Sequence, residues 1–201
     1  MHAHPETLGF WCGRLPHWEV EDGRYFVTAH LAGAIPEPAM EQIRSISEAL
    51  QNGATRQTPD SCVELHRRVF AEMERWLDRA PAATELTDPA VAPMVMEAIE
   101  FRQSKERWNM LEFALMPSHL HLFLEVLKGT LKETMEDFKR WTGHRALEIL
   151  DRSGERFWQD EWFDHWSRSD EEDERITTYI RRNPETAGLV SNYRDWPWGS
   201  W

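Results

Sequence analysis

Cysteine is scarce in this 201-residue sequence: only Cys12 and Cys62 occur. They lie far apart and in no CxxC-type spacing, which excludes a disulfide framework, a cysteine-rich zinc module and a dithiol redox site. A reducing cytoplasm is the expected compartment. Long apolar runs are also missing. No stretch approaches the ~20 residues of a membrane span, and no signal-peptide pattern opens the chain. Lysine is confined to Lys105, Lys128, Lys132 and Lys139, and the formal net charge is −12. That balance argues against a generally basic surface of the kind that gathers phosphates. It leaves room for a local patch, because exposed charges are screened beyond about 8 Å at physiological ionic strength. All four lysines fall in the second half of the chain, where Arg140, Arg145, Arg181 and Arg182 follow. Internal repeats and low-complexity tracts are absent.

What is present reads as alternating strands and helices. "RYFVTAHLA", residues 24–32, is rich in aromatic and β-branched residues and predicts a strand. "IPEPAMEQIRSISEALQ" predicts a short helix before a polar loop, and helical spacing from Ser61 to about Arg79 predicts a second, with Val63, Phe70, Met73 and Leu77 on its apolar face. "DPAVAPMVMEAIEF" predicts a third helix with Asp88 as its cap. "RWNMLEFALMP" and "HLHLFLEVL" are strands joined by a tight connection and should pair antiparallel. A helix follows from about Leu131, with Met135 and Phe138 inward and Lys139 and Arg140 near its middle. "GERFWQDEWFDHWSR" suggests a short strand and turn. The last helix opens on a capping-box pattern, Ser169 to Glu172. It should bend or stop near Asn183, because Pro184 disfavours helical geometry in the residue before it, and Gly188 suits the final turn. This order predicts an α+β sandwich around a central antiparallel sheet, close to a ferredoxin-like plan.

The stretch "ALMPSHLHLFLE", residues 114–125, places two histidines in an otherwise apolar strand. By the two-residue period Leu120, Leu122, Leu124 and Val126 share one face, and His119, His121, Phe123 and Glu125 share the other. Two such imidazoles can be satisfied core residues or can share one metal ion, since neutral imidazole is the commonest protein metal ligand. Glu125 is a candidate partner on the same face. Tyr179 and Asn183 lie four apart on the last helix, hence on one face. As ordinary packing they need no further role. Taken with His119 and His121 they have a chemical logic: imidazoles and an amide oxygen can hold a divalent ion that polarises a phosphate, and a phenol can attack it. Asp164 and His165 could form an acid–base dyad or serve only the structure. His2 and His4 at the N-terminus read as polar tail.

"MPSHLHLF" resembles the "MPNHVHLL" signature of single-tyrosine HUH (IS200-like) transposases, where HUH denotes His, a hydrophobic residue, His. The ordered set "LPHW", "YFVT…LAGAIP", "FWQDEWFDH" and "YIRRNP…AGLV…DWPW" resembles the REP-associated tyrosine transposase branch, from about Leu15 to Trp198. The resemblance implies one HUH domain of the ferredoxin-like (RRM-like) class over residues 1–201, with a helical insertion at about 36–60. It implies His119, His121 and Asn183 as ligands of Mg²⁺ or Mn²⁺, and Tyr179 as nucleophile. The reaction implied is cleavage and strand transfer of single-stranded DNA beside palindromic hairpins, through a 5′-phosphotyrosine. Lys139 matches a motif lysine, and Lys139, Arg140, Arg181 and Arg182 are candidate DNA contacts. Ser118 departs from the usual Asn and is expected to alter the turn more than the chemistry. Location would be cytoplasmic and nucleoid-associated, as monomer or homodimer. Two other readings stay open: a domesticated, non-cutting binder of DNA hairpins, and a histidine-rich metal-dependent oxidoreductase of a barrel fold, which would give "YIRRNP" no role.

Overall fold

The computed structural model describes residues 7–12, 16–53, 59–77 and 83–201. Two short strands, β1 (Thr7–Cys12) and β2 (Pro16–Val20), form an antiparallel hairpin of their own. The main sheet contains β3 (Arg24–His30), β4 (Trp108–Leu115), β5 (His119–Val126) and β6 (Phe163–Trp166), in the antiparallel order β4-β5-β3-β6. Helices α1 (Glu37–Gly53), α2 (Pro59–Leu77) and α3 (Val91–Ser104) separate β3 from β4. Helix α4 (Leu131–Ile149) separates β5 from β6, and α5 (Asp170–Thr186) follows the sheet. Strand, helix, two strands, helix, strand, in this sheet order, is the ferredoxin-like α+β plan.

The register puts the histidines at the centre of the sheet. His121 lies opposite Thr28 of β3 and Ala114 of β4, and His119 lies opposite His30. The two faces of β5 then meet different helices. Leu120, Leu122 and Leu124 are fully buried on one face, each contributing about 1.5–3 kcal/mol relative to exposure. On that side Trp108 packs on Phe138 of α4 at 5.5 Å and donates its indole N–H to the Ile99 carbonyl of α3. The opposite face belongs to α2 and α5: Phe26 of β3 packs against Phe70 of α2 and Tyr179 of α5, at 5.4 and 5.8 Å.

Several local expectations change. Helix α5 does not stop at Asn183 but runs to Thr186 with Pro184 inside it. Pro184 sits in the last turn, where only one hydrogen bond to a preceding carbonyl is lost and the ring is buried. Gly188, at φ 70°, then ends the helix as expected. Asp88 is not the cap of α3, whose flanking residue Ala90 has no side-chain cap; it bonds the Ala90 N–H in the turn ahead of it. The Ser169 hydroxyl does accept from the Glu172 N–H, while the Glu172 carboxylate turns to the Arg168 N–H and to His165. The β1–β2 hairpin has no counterpart in the sequence reading. His2 and His4 lie outside the described residues.

Candidate active site

The turn Met116-Pro117-Ser118 aims the histidine strand. The Met116 N–H donates to the His119 carbonyl at 2.8 Å, closing the β4–β5 connection, and Ser118 accepts from the Leu31 N–H at 2.8 Å. The Ser118 hydroxyl lies 3.1 Å from His119 Nδ1, and the Thr28 hydroxyl 2.9 Å from His121 Nδ1. Ser118 thus does more than shape the turn: its side chain orients a histidine. An Nδ1–H donated to a hydroxyl leaves the lone pair on Nε2 in both rings. Both Nε2 atoms are buried and make no hydrogen bond among the described residues.

The rings are in edge contact at 4.6 Å, and burial lowers both pKa values. His119 falls to about 3 through desolvation, with nearby His30 adding to the fall and Asn183 opposing it. His121 falls well below its ordinary value by desolvation and the neighbouring His119. Both imidazoles are therefore neutral at physiological pH, the form that ligates metal.

The sequence reading missed Glu74. This α2 carboxylate is buried, and one of its oxygens lies with the ring nitrogens of His119 and His121 in a cluster whose ligand atoms are all within 4.8 Å of one another. Glu74 Oε2 is 3.7 Å from His121 Nε2. It also accepts the hydrogen bond of the Tyr179 hydroxyl, which in turn accepts from Asn183 Nδ2 at 3.2 Å. Tyr179 is further held by ring contacts to His121 at 5.5 Å and Phe70 at 5.7 Å. Asn183 is buried, and its Oδ1 has no hydrogen-bond partner among the described residues. Two imidazole nitrogens and an amide oxygen lacking hydrogen bonds, beside a carboxylate, are a donor set that suits a hard or borderline divalent cation.

Other sequence candidates fall elsewhere. Lys139 is on α4, behind the opposite face of the sheet. It is largely buried, donating to the Asp160 carbonyl at 2.6 Å with its ammonium 4.9 Å from the Trp162 ring. Arg140 pairs with Asp137 at 2.9 Å on the same helix. Arg181 is drawn to the buried Glu112 of β4 at 2.7 Å, and Arg182 lies exposed, 3.8 Å from Glu185. None of these four joins the histidine cluster. Asp164 and His165 do not act as a pair. Asp164 contacts His17 on the α4 side, while His165 bonds Glu172 at 2.9 Å on the α5 side. Glu125 bonds Asn109 at 2.8 Å, toward the far end of the strand.

A buried His-x-His on the central strand of a ferredoxin-like sheet, faced by a helix-borne tyrosine, defines the class. Residues 83–183, just over half of the chain, match the family model "Transposase IS200 like", and the chain belongs to this family. Among solved structures it is similar to the REP-associated tyrosine transposase bound to a REP hairpin. The TM-score is 0.55 at 15% identity, with 91% of this chain and 79% of that one covered. A transposase structure from Deinococcus radiodurans R1 aligns at a TM-score of 0.40 and 11% identity, covering 79% of this chain and 88% of that one. No curated protein matches the sequence. Glu74 and all of α2 lie outside the family-matched segment.

Proposed function

We propose that this protein is a metal-dependent endonuclease and strand transferase for single-stranded DNA, cutting beside hairpins through Tyr179. The observation that carries the reading is the Tyr179 hydroxyl, held by Glu74 and Asn183 against the His119–His121 pair. His119, His121, Asn183 and Glu74 would hold a divalent ion, Mg²⁺ or Mn²⁺. When bound, such an ion supplies Lewis-acid polarisation of a phosphate oxygen. The chain supplies the rest. Glu74 Oε2 takes the phenolic proton as Tyr179 Oη bonds to phosphorus. The phosphorus–O3′ bond breaks, the leaving O3′ takes a proton from water, Glu74 gives its proton up to solvent, and a 5′-phosphotyrosine ester remains on the protein. The ester conserves a phosphodiester bond for rejoining to another 3′-hydroxyl.

The test is incubation with hairpin-bearing single-stranded oligonucleotides labelled 3′ of the expected cut, with Mg²⁺ or Mn²⁺, followed by denaturing electrophoresis. Wild type should carry the label as a covalent adduct, and Tyr179→Phe should form neither adduct nor cut product. An adduct with Tyr179→Phe would place the nucleophile elsewhere. Hairpin binding by wild type without any adduct would make the protein a non-cutting binder.

A further inference from the structure

An open cleft of about 420 Å³ runs from Tyr179 outward between α2, β6 and α5. Its volume is that of a small-ligand site. Its inner wall is aromatic: Phe70 and Phe163 lie 4.9 Å apart at a 34° tilt, and Phe70 contacts the Tyr179 ring. Its rim is cationic, carrying the exposed side chains of Arg67, Arg168 and Arg175. Arg67 and Arg175 have no ion-pair partner among the described residues, and Arg168 lies over the Trp166 ring at 4.7 Å. The one carboxylate in the lining, Glu172, is bonded to His165. In a chain of net charge −12, this is a concentration of positive charge at the door of the tyrosine.

We propose that this cleft is a nucleotide subsite that seats an unpaired base of single-stranded DNA next to the phosphate attacked by Tyr179, with its flanking phosphates on Arg67 and Arg175. The inference rests on the DNA-cutting reading above and adds to it where the strand lies. A π-face wall with a cationic rim matches both halves of a nucleotide: aromatic rings take any base by stacking, and arginines take the backbone. A peptide or an apolar ligand would leave the arginine rim unanswered; a free anion would leave the phenylalanines without purpose. Arg67 and Phe70 belong to α2, outside the family-matched segment, so that helix supplies one wall of this subsite while α5 and β6 supply the other.

The test compares two oligonucleotides on the full chain: a hairpin with a six-nucleotide unpaired flank carrying 2-aminopurine, and the same hairpin without a flank. Wild type should bind the flanked form about tenfold more tightly, with quenched 2-aminopurine. Arg67→Gln/Arg175→Gln should abolish that preference and leave affinity for the bare hairpin unchanged. It should also flatten the log affinity–log salt slope for the flanked form by about 1.4, since each neutralised phosphate of a single strand contributes roughly 0.7. Phe70→Leu, which keeps apolar packing, should lose the quenching while the salt slope stays. Equal wild-type affinity for both oligonucleotides, or an unaltered preference in the double variant, would overturn the subsite and leave the adduct assay standing. Binding of neither oligonucleotide by wild type would overturn the subsite and the DNA-cutting reading together.

Discussion

At the scale of single residues, the hydroxyls behind the histidines carry a consequence that the His-x-His motif alone does not. Thr28 is fully buried, and its only side-chain hydrogen bond among the described residues is to His121 Nδ1. Thr28→Val preserves shape but leaves a buried N–H unanswered, at a cost of about 1–3 kcal/mol. Losing such an orienting partner typically weakens metal binding 10–100-fold. Calorimetric titration with Mn²⁺ should therefore show an affinity reduced by about that factor in Thr28→Val; wild-type affinity would mean that His121 does not ligate through Nε2. Lys139 gives a prediction of a different kind. Desolvation lowers its pKa to about 8, outweighing the acids Asp160, Glu161 and Glu136 that raise it. Below pH 8 both folded and unfolded chains hold the proton. Between pH 8 and the ordinary lysine value the unfolded chain holds more, so stability from this group rises with pH. Denaturation at pH 7.5, 9 and 10 should show wild type gaining on Lys139→Met as pH increases. A constant gap would indicate a lysine that titrates normally and is solvated.

At the scale of elements, α5 is the one to account for, because it brings Tyr179 and Asn183 to a site built on β5. Its N-terminal end is held by Ser169 and by the Glu172–His165 contact, and its middle by Arg181, which bonds Glu112 on β4. The Glu112 carboxyl is buried, and burial raises its pKa while Arg181 opposes the rise. Arg181→Met should cost about 1–3 kcal/mol in urea denaturation, the penalty for stranding a buried acceptor. Arg182→Met, on the exposed face, should stay within about 0.5 kcal/mol. Similar small effects for both would remove Arg181 from its anchoring role. The β4–β5 hairpin and the start of α5 were legible because each is a local pattern: alternation on a half-buried strand, and a serine followed by acids in a first turn. Pro184 misled for the same reason, since a local rule about helix interiors applies weakly in the last turn. Glu74 was not legible at all. Nothing in "FAEMERWL" distinguishes it from the other acids of an amphipathic helix. Only the packing of α2 across the histidine face gives it a role. Arg67 was hidden in the same way, whereas Lys139 was legible as a motif lysine and only the packing of α4 shows its ammonium held by the Asp160 carbonyl.

At the scale of the whole molecule, one chain assembles every member of the candidate site. Tyr179 reaches the His119–His121 pair of its own sheet, and Glu74 comes from the same chain. The path back from α5 is also tied down. After the helix, Tyr193 N–H bonds Glu185, and the chain then runs along the edge of β4. There the Leu115 N–H donates to the Trp198 carbonyl at 2.8 Å and the Ser200 N–H to the Phe113 carbonyl at 3.2 Å. The Ser200 hydroxyl meets Glu112, the same carboxylate that anchors Arg181. Helix α5 is thus bracketed on both sides by contacts to its own sheet. Exchanging it with a second copy would require breaking the Arg181–Glu112 pair and baring the tyrosine's aromatic bed on the way, because those contacts are remade only once the exchange is complete. If the protein cuts DNA through Tyr179, it should do so in cis. Mixing Tyr179→Phe with His119→Ala, each inactive alone, should yield no adduct at any ratio, because neither chain holds a complete set. Recovery of up to about a quarter of wild-type activity would require a tyrosine from one chain to serve the histidines of another. That would make the bracketing contacts breakable in the working enzyme. The readout is decisive in both directions because the His119→Ala chain keeps its tyrosine, so labelled DNA would be found on that chain alone.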